Sequence, residues 1–203
     1  MQAVESQTLI LYHTDLRGEW PEAAARALRA RLRYAKRLAT GAADAQGRAS
    51  LAGIALALRA LSHVTGRAVT PDEIVFAPGE KPRLATGAAG GSGSGCDFSI
   101  SHSGPWVGCV AVRGGRVGFD LEMGGGARID RWVACEATLK ACGAGLAALN
   151  EVRLAGAQAS CRGEPWYAHA AQLFPGAAAC VMSDRADRPL RAHAVALAEL
   201  FAP

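Results

Sequence analysis

The chain of 203 residues is half hydrophobic, has 20% charged residues and carries a formal net charge of +4. That apolar content excludes a disordered polypeptide and is ample for the core of one domain or of two small half-domains. The charge is too mild for a nucleic-acid binder and suits an acidic small ligand or protein partner, while the lack of an apolar leader or a membrane-length apolar run sets the expectation of a soluble, cytoplasmic protein.

Residues 7–12 read as a short strand, and Pro21, favoured in a first helical turn, opens an Ala/Leu/Arg-rich helix over 21–38. A small-residue break from Thr40 to Gly47 leads into a second helix over 48–64, whose Leu51, Ile54, Ala55, Leu58 and Leu61 form one apolar stripe. Thr70 to Glu73 starts a short helical turn, followed by a strand at Val75-Phe76 and a turn at Pro78-Gly79. Residues 85–95, almost wholly Ala, Gly and Ser, read as a surface loop. Strands are predicted at Phe98–Ile100, Trp106–Arg113 and Arg116–Glu122, the last two joined by a hairpin at Gly114-Gly115. After a glycine-rich break at Met123–Ala127 comes a helix over Asp130–Cys142, then strands at 150–154, 165–169, 177–183 and 191–198.

The order helix, short strands, apolar strand occurs in both halves of the chain. The fold expected is therefore α+β, with two pseudo-symmetric half-domains, 1–115 and 116–203, each a small antiparallel sheet packed on a long helix. The six cysteines are scattered with no C-x-x-C pair and read as small buried hydrophobes. Only three of the 22 basic residues are lysines, Lys36, Lys81 and Lys140, so each lysine marks a place where arginine does not serve.

Four segments could carry chemistry. Asp120 and Glu122, two apart on a strand, project from one face, and two close carboxylates are reconciled by a hard divalent cation such as magnesium, although alone they also read as a solvated strand end. In Ser99-Ile100-Ser101-His102-Ser103-Gly104 a histidine flanked by hydroxyls at a strand-to-turn junction can donate to phosphate oxygens, or can be a structural histidine. The adjacency of these serines to the histidine, and the lack of a G-x-S-x-G elbow, weigh against a Ser/His/Asp hydrolase. In the segment Trp132–Lys140, Glu136 and Lys140 stand at i and i+4, as in an ordinary surface ion pair. Gly79-Glu80-Lys81-Pro82 presents a lysine before a proline.

In this order the segments Gly-Glu-Lys81-Pro, Phe98-Ser-Ile-Ser-His-Ser103, Val117-Gly-Phe-Asp-Leu-Glu122 and Trp132 through Lys140 resemble the 4'-phosphopantetheinyl transferase superfamily, closest to its larger class of two pseudo-symmetric half-domains. The resemblance covers residues 48–140. It implies transfer of 4'-phosphopantetheine from coenzyme A to a serine of an apo acyl or peptidyl carrier protein, with release of 3',5'-ADP. It further implies Mg2+ held by Asp120, Glu122 and Glu136. Ser101 and His102 would contact the phosphates, Lys81 the adenosine 3'-phosphate region, and Lys36, Arg37 and Arg48 would add phosphate contacts beside Arg33. Lys140 would offset charge on the phosphates, Glu136 would act as base, and the chain would be a monomer. The alternative implied is a degenerate module that binds coenzyme A or a carrier protein without turnover. The sequence departs from the family pattern at Cys135, where lysine is usual, at Ser99, where asparagine is common, and in a short Glu122–Glu136 segment.

Overall fold

The computed structural model describes residues 7–32, 45–77, 80–85 and 95–201. The turn expected at Pro78-Gly79, most of the small-residue loop 85–95, and Arg33, Lys36 and Arg37 lie outside the described residues.

The chain is α+β. Strand β1 (Leu9–Asp15) precedes helices α1 (Glu22–Arg31) and α2 (Ala45–Thr65). A single 3-10 turn at Pro71–Glu73 leads into the short pair β2 (Ile74–Val75) and β3 (Arg83–Leu84). Then come β4 (Cys96–Ser103), β5 (Trp106–Arg113), β6 (Val117–Met123) and helix α3 (Ala127–Cys142). The remainder is β7 (Arg153–Ala155), β8 (Gln158–Cys161), β9 (Glu164–Ala170), β10 (Ala177–Ser183) and β11 (Leu190–Ala194).

The strands form two principal sheets, ordered β11-β1-β5-β4 and β6-β10-β9-β8-β7. Side-chain alternation then dictates the layers. In β5, Val107, Cys109 and Ala111 join Leu56, Leu61 and Phe98 in a core under α2, whereas Val110 and Val112 point the other way. There they meet Val117, Phe119 and Leu121 of β6 and Val181 of β10, which fill the space between the sheets. On the far side of the second sheet, Val133, Ala137 and Leu139 of α3 pack with Trp166 and Met182. The result is four layers, helix, sheet, sheet, helix. Burial on both faces explains why β5 reads as a continuous apolar run. Each large side chain sealed here, such as Phe119, contributes on the order of 2 kcal/mol.

Three expectations are corrected. Residues Gly114-Gly115 do not close a hairpin: β5 stays in the first sheet and β6 opens the second. The corner is held by Arg188, whose side chain is fully buried, donates to the carbonyls of Gly114 (2.8 Å) and Gln7 (3.3 Å), and pairs with Asp184 (3.1 Å). A Cβ on Gly115 would come within 2.0 Å of Arg188 Nη2, so glycine is there for room. The first sheet is not purely antiparallel, because β11 runs parallel to β1. A strand from the C-terminal segment 116–203 thus completes the sheet built on the N-terminal one. The first long helix ends at Arg31, because buried Leu32 takes an extended backbone (φ −81°, ψ 117°). No helix among the described residues is long and apolar enough to cross a membrane.

Candidate metal centre

Strands β4 and β6 are edges of different sheets, yet they lie side by side. The backbone N–H groups of Val117, Phe119, Leu121 and Met123 donate to Asp97 Oδ2 (2.8 Å) and to the hydroxyls of Ser99 (3.0 Å), Ser101 (3.4 Å) and Ser103 (3.0 Å). The constant offset of 20 residues means that the strands run parallel. Side chains thereby satisfy edge donors that no backbone ladder reaches.

Two of these hydroxyls pass the bond on. Ser101 Oγ donates to Asp120 Oδ1 at 2.8 Å, and Ser103 Oγ donates to Glu122 Oε2 at 2.8 Å. The strand alternation that sends Val117, Phe119 and Leu121 into the core between the sheets sends Gly118, Asp120 and Glu122 toward α3. Helix α3 comes unusually close, since a Cβ on Gly118 would sit 1.9 Å from the Ala137 carbonyl oxygen and 2.4 Å from the Ala141 nitrogen. This approach brings Glu136 and Lys140, one turn apart, over the strand. Lys140 Nζ lies 2.7 Å from Asp120 Oδ1, 3.2 Å from Ser101 Oγ and 3.5 Å from Glu136 Oε1.

The three expected ligands thus converge: one carboxylate oxygen from each of Asp120, Glu122 and Glu136 lies within 4.8 Å of the others. Asp120 is only 2% exposed, and its Oδ2 is buried without a hydrogen-bond partner among the described residues. Burial pushes the Asp120 carboxyl above the usual range, with the Glu136 charge adding to the rise and Lys140 opposing it. An orphaned buried oxygen beside two further carboxylates is a cation-seeking arrangement. Three carboxylates against one ammonium leave two negative charges, and the donors are all oxygen, so the residues fit a hard divalent ion.

His102 occupies the opposite face of β4 from Ser101 and Ser103, on the exposed side. Loss of solvent around the ring, and then the Lys140 charge, lower its pKa below the ordinary 6.5. A groove of about 520 Å³ opens beside Glu122, with Met123, Ile129, Trp132 and Leu149 as apolar walls and Arg128 and Arg131 adding positive charge. Met123 and Trp132 are 42% and 38% exposed. A larger cavity of about 840 Å³ lies between α1 and α2, lined by Tyr12, Leu28 and His63 among others, and includes none of the carboxylates.

The other expected residues stand elsewhere. Ser101 is buried, and its one proton and two lone pairs are taken by Asp120, Leu121 and Lys140. Lys81 Nζ, half-buried, donates to Asp97 Oδ2 and to the Val117 carbonyl, both at 2.6 Å, and Asp97 lies four residues along β4 from Ser101. Arg48 lies over the Trp20 ring (5.4 Å) and 3.5 Å from Glu22. Lys36 and Arg37 are outside the described residues. Sequence reasoning missed the linking roles of Asp97 and Ser103. Their signal was the polar residue at every second position of β4, Asp97, Ser99, Ser101 and Ser103, alternating with Cys96, Phe98 and Ile100 before His102.

Comparison with known proteins finds no family model that matches the sequence and no curated protein significantly similar to it.

Proposed function

We propose that this chain transfers a 4'-phosphopantetheine arm from coenzyme A to a serine of an apo acyl or peptidyl carrier protein, releasing 3',5'-ADP, with Mg2+ held by Asp120, Glu122 and Glu136. The observation that carries this reading is the convergence of the three carboxylates, together with a buried Asp120 Oδ2 that has no hydrogen-bond partner among the described residues. Bound there, a divalent cation supplies charge neutralisation and polarisation of phosphoryl oxygens. The chain's own groups do the rest. Ser101 and Ser103 aim Asp120 and Glu122; Lys140 offsets negative charge on the phosphates; Glu136 accepts the proton of the acceptor serine. His102, neutral near pH 7, donates one ring N–H to a phosphate oxygen. The groove beside Glu122 receives the reacting end of the arm or of the acceptor.

In this reading the two helix-on-sheet units that meet at β4 and β6 are related half-domains with the ligand between them, and the chain works as a cytoplasmic monomer. Ser101 acts in this reading as an orienting group, because its hydroxyl has no capacity left for a phosphate. Lys81 ties β4 to β6. Cys135, buried where the resembling family carries lysine, favours a second reading, a module that binds coenzyme A or a carrier protein without turnover.

The deciding experiment is intact-mass analysis of apo carrier proteins incubated with the chain, coenzyme A and Mg2+. A gain of about 340 Da, the mass of the arm, that disappears on adding a chelator is the expected result. Calorimetric binding of coenzyme A with no mass gain on any carrier selects the binding module, and absence of both rejects the reading.

A further inference from the structure

Cys142 and Cys161 are 19 positions apart, a spacing that carries no motif, yet their sulfur atoms lie 3.0 Å apart. Cys142 is the last residue of α3, and Cys161 is the last residue of β8. Both are free thiols. Each sits beside a left-handed turn, at Gly143 (φ 73°) and at Arg162-Gly163 (φ 53° and 78°). Closing from this separation to a bonded one of about 2.05 Å takes roughly an ångström of sulfur motion, which side-chain rotation at two element ends supplies.

We propose that Cys142 and Cys161 form a redox-convertible dithiol, a modification site at the base of α3 that a low-molecular-weight disulfide oxidises to an intramolecular bond. The two thiols differ in a way that orders the steps. Cys161 has no exposed surface, and burial first, then its contact with Cys142, push its pKa up to about 12. Cys142 is half-buried and is the group that an external reagent reaches. The Cys142 thiolate attacks one sulfur of the small disulfide, and a small thiolate leaves. That thiolate takes the Cys161 proton, and Cys161 Sγ then attacks Cys142 Sγ, expelling the second small thiolate, which takes up the proton that Cys142 released. The protein loses two hydrogens and two electrons, and one small disulfide becomes two thiols.

The bond would tie the C-terminal turn of α3, two residues beyond Lys140, to the second sheet. The ring it closes, from Cys142 to Cys161, restricts the unfolded chain and so stabilises the fold.

The test uses the full-length chain equilibrated in oxidised and reduced glutathione, quenched with acid and mapped by mass. Expected is a loss of about 2 Da and a cross-linked peptide joining Cys142 to Cys161, reversed by excess reduced glutathione. Cys142→Ser should show no bridge, and Cys161→Ser should hold a glutathione on Cys142, a gain of about 305 Da. The oxidised wild-type chain should also melt several degrees higher than the reduced one. A stable glutathione adduct on Cys142 in the wild type, retention of both thiols under oxidising conditions, or a lower melting point on bridging would overturn the proposal.

Discussion

Ser101, on one sheet, gives its hydroxyl proton to Asp120, on the other, across 2.8 Å. This bond does two things. It helps satisfy a carboxylate that burial has stripped of water, and it holds that carboxylate in place beside Glu122 and Glu136. Removing the hydroxyl should therefore harm the site more than the fold. Ser101→Ala is expected to cost about 1–2 kcal/mol in urea unfolding, since the Leu121 N–H loses its acceptor. It should weaken divalent-ion affinity roughly 10- to 100-fold, as loss of an orienting partner does. Calorimetric titration with Mn2+ checks it, and an unchanged affinity would mean that the hydroxyl does not orient the carboxylate.

Asp120 itself tests whether the cluster is functional or structural. Asp120→Asn removes a buried charge but keeps shape, so the metal-free variant should melt no lower than the wild type. Mg2+ should raise the melting temperature of the wild type and leave that of the variant unmoved. Asp120→Ala should likewise fold yet abolish transfer. Failure of both variants to fold would show that the carboxylate is a structural partner of Lys140.

Gly118 sets how near α3 lies to β6. Its missing side chain leaves the space that the Ala137 carbonyl and the Ala141 nitrogen occupy, both backbone atoms that cannot swing aside. Gly118→Ala should destabilise by about 3 kcal/mol or more. Where the protein survives, the displaced helix should carry Glu136 and Lys140 away from Asp120 and abolish the ion-dependent rise in melting temperature. Thermal scans with and without Mg2+ distinguish these results from an innocuous substitution.

The dependence of stability on pH follows from three histidines. His13, His102 and His169 all have pKa values below 6.5, each chiefly through loss of solvent. Below 6.5 the unfolded chain binds protons that the folded chain refuses, so stability falls as the pH drops through 6.5 toward the folded values and is flat above. Asp120 acts with the opposite sign at lower pH: its raised pKa means that its penalty is relieved as the pH falls through the folded value toward 3.8. Urea midpoints measured at pH 7.5, 6.5 and 5.5 should decline in that order, and replacing all three histidines with glutamine should flatten the decline.

Much of the site was legible in one dimension. Strand alternation places Asp120 and Glu122 on one face, helical spacing places Glu136 and Lys140 together, and the apolar run of β5 announces a buried strand. These are local rules, set by the period of the backbone and by the chemistry of each side chain. Which elements face one another is a different matter. The Gly114-Gly115 corner reads as a hairpin, yet β6 opens the second sheet and Arg188, 73 positions after Gly115, packs against the corner. Ser101 reads, through the family resemblance, as a phosphate contact until the neighbouring edge strand claims its hydroxyl, and the contact of Cys142 with Cys161 has no signature in spacing at all. The sequence by itself determined the α+β elements and the carboxylates that could meet. Only the tertiary structure, by packing sheet on sheet and bringing α3 down onto Gly118, decided that they do meet, because convergence depends on long-range packing and close backbone approach that no local pattern encodes.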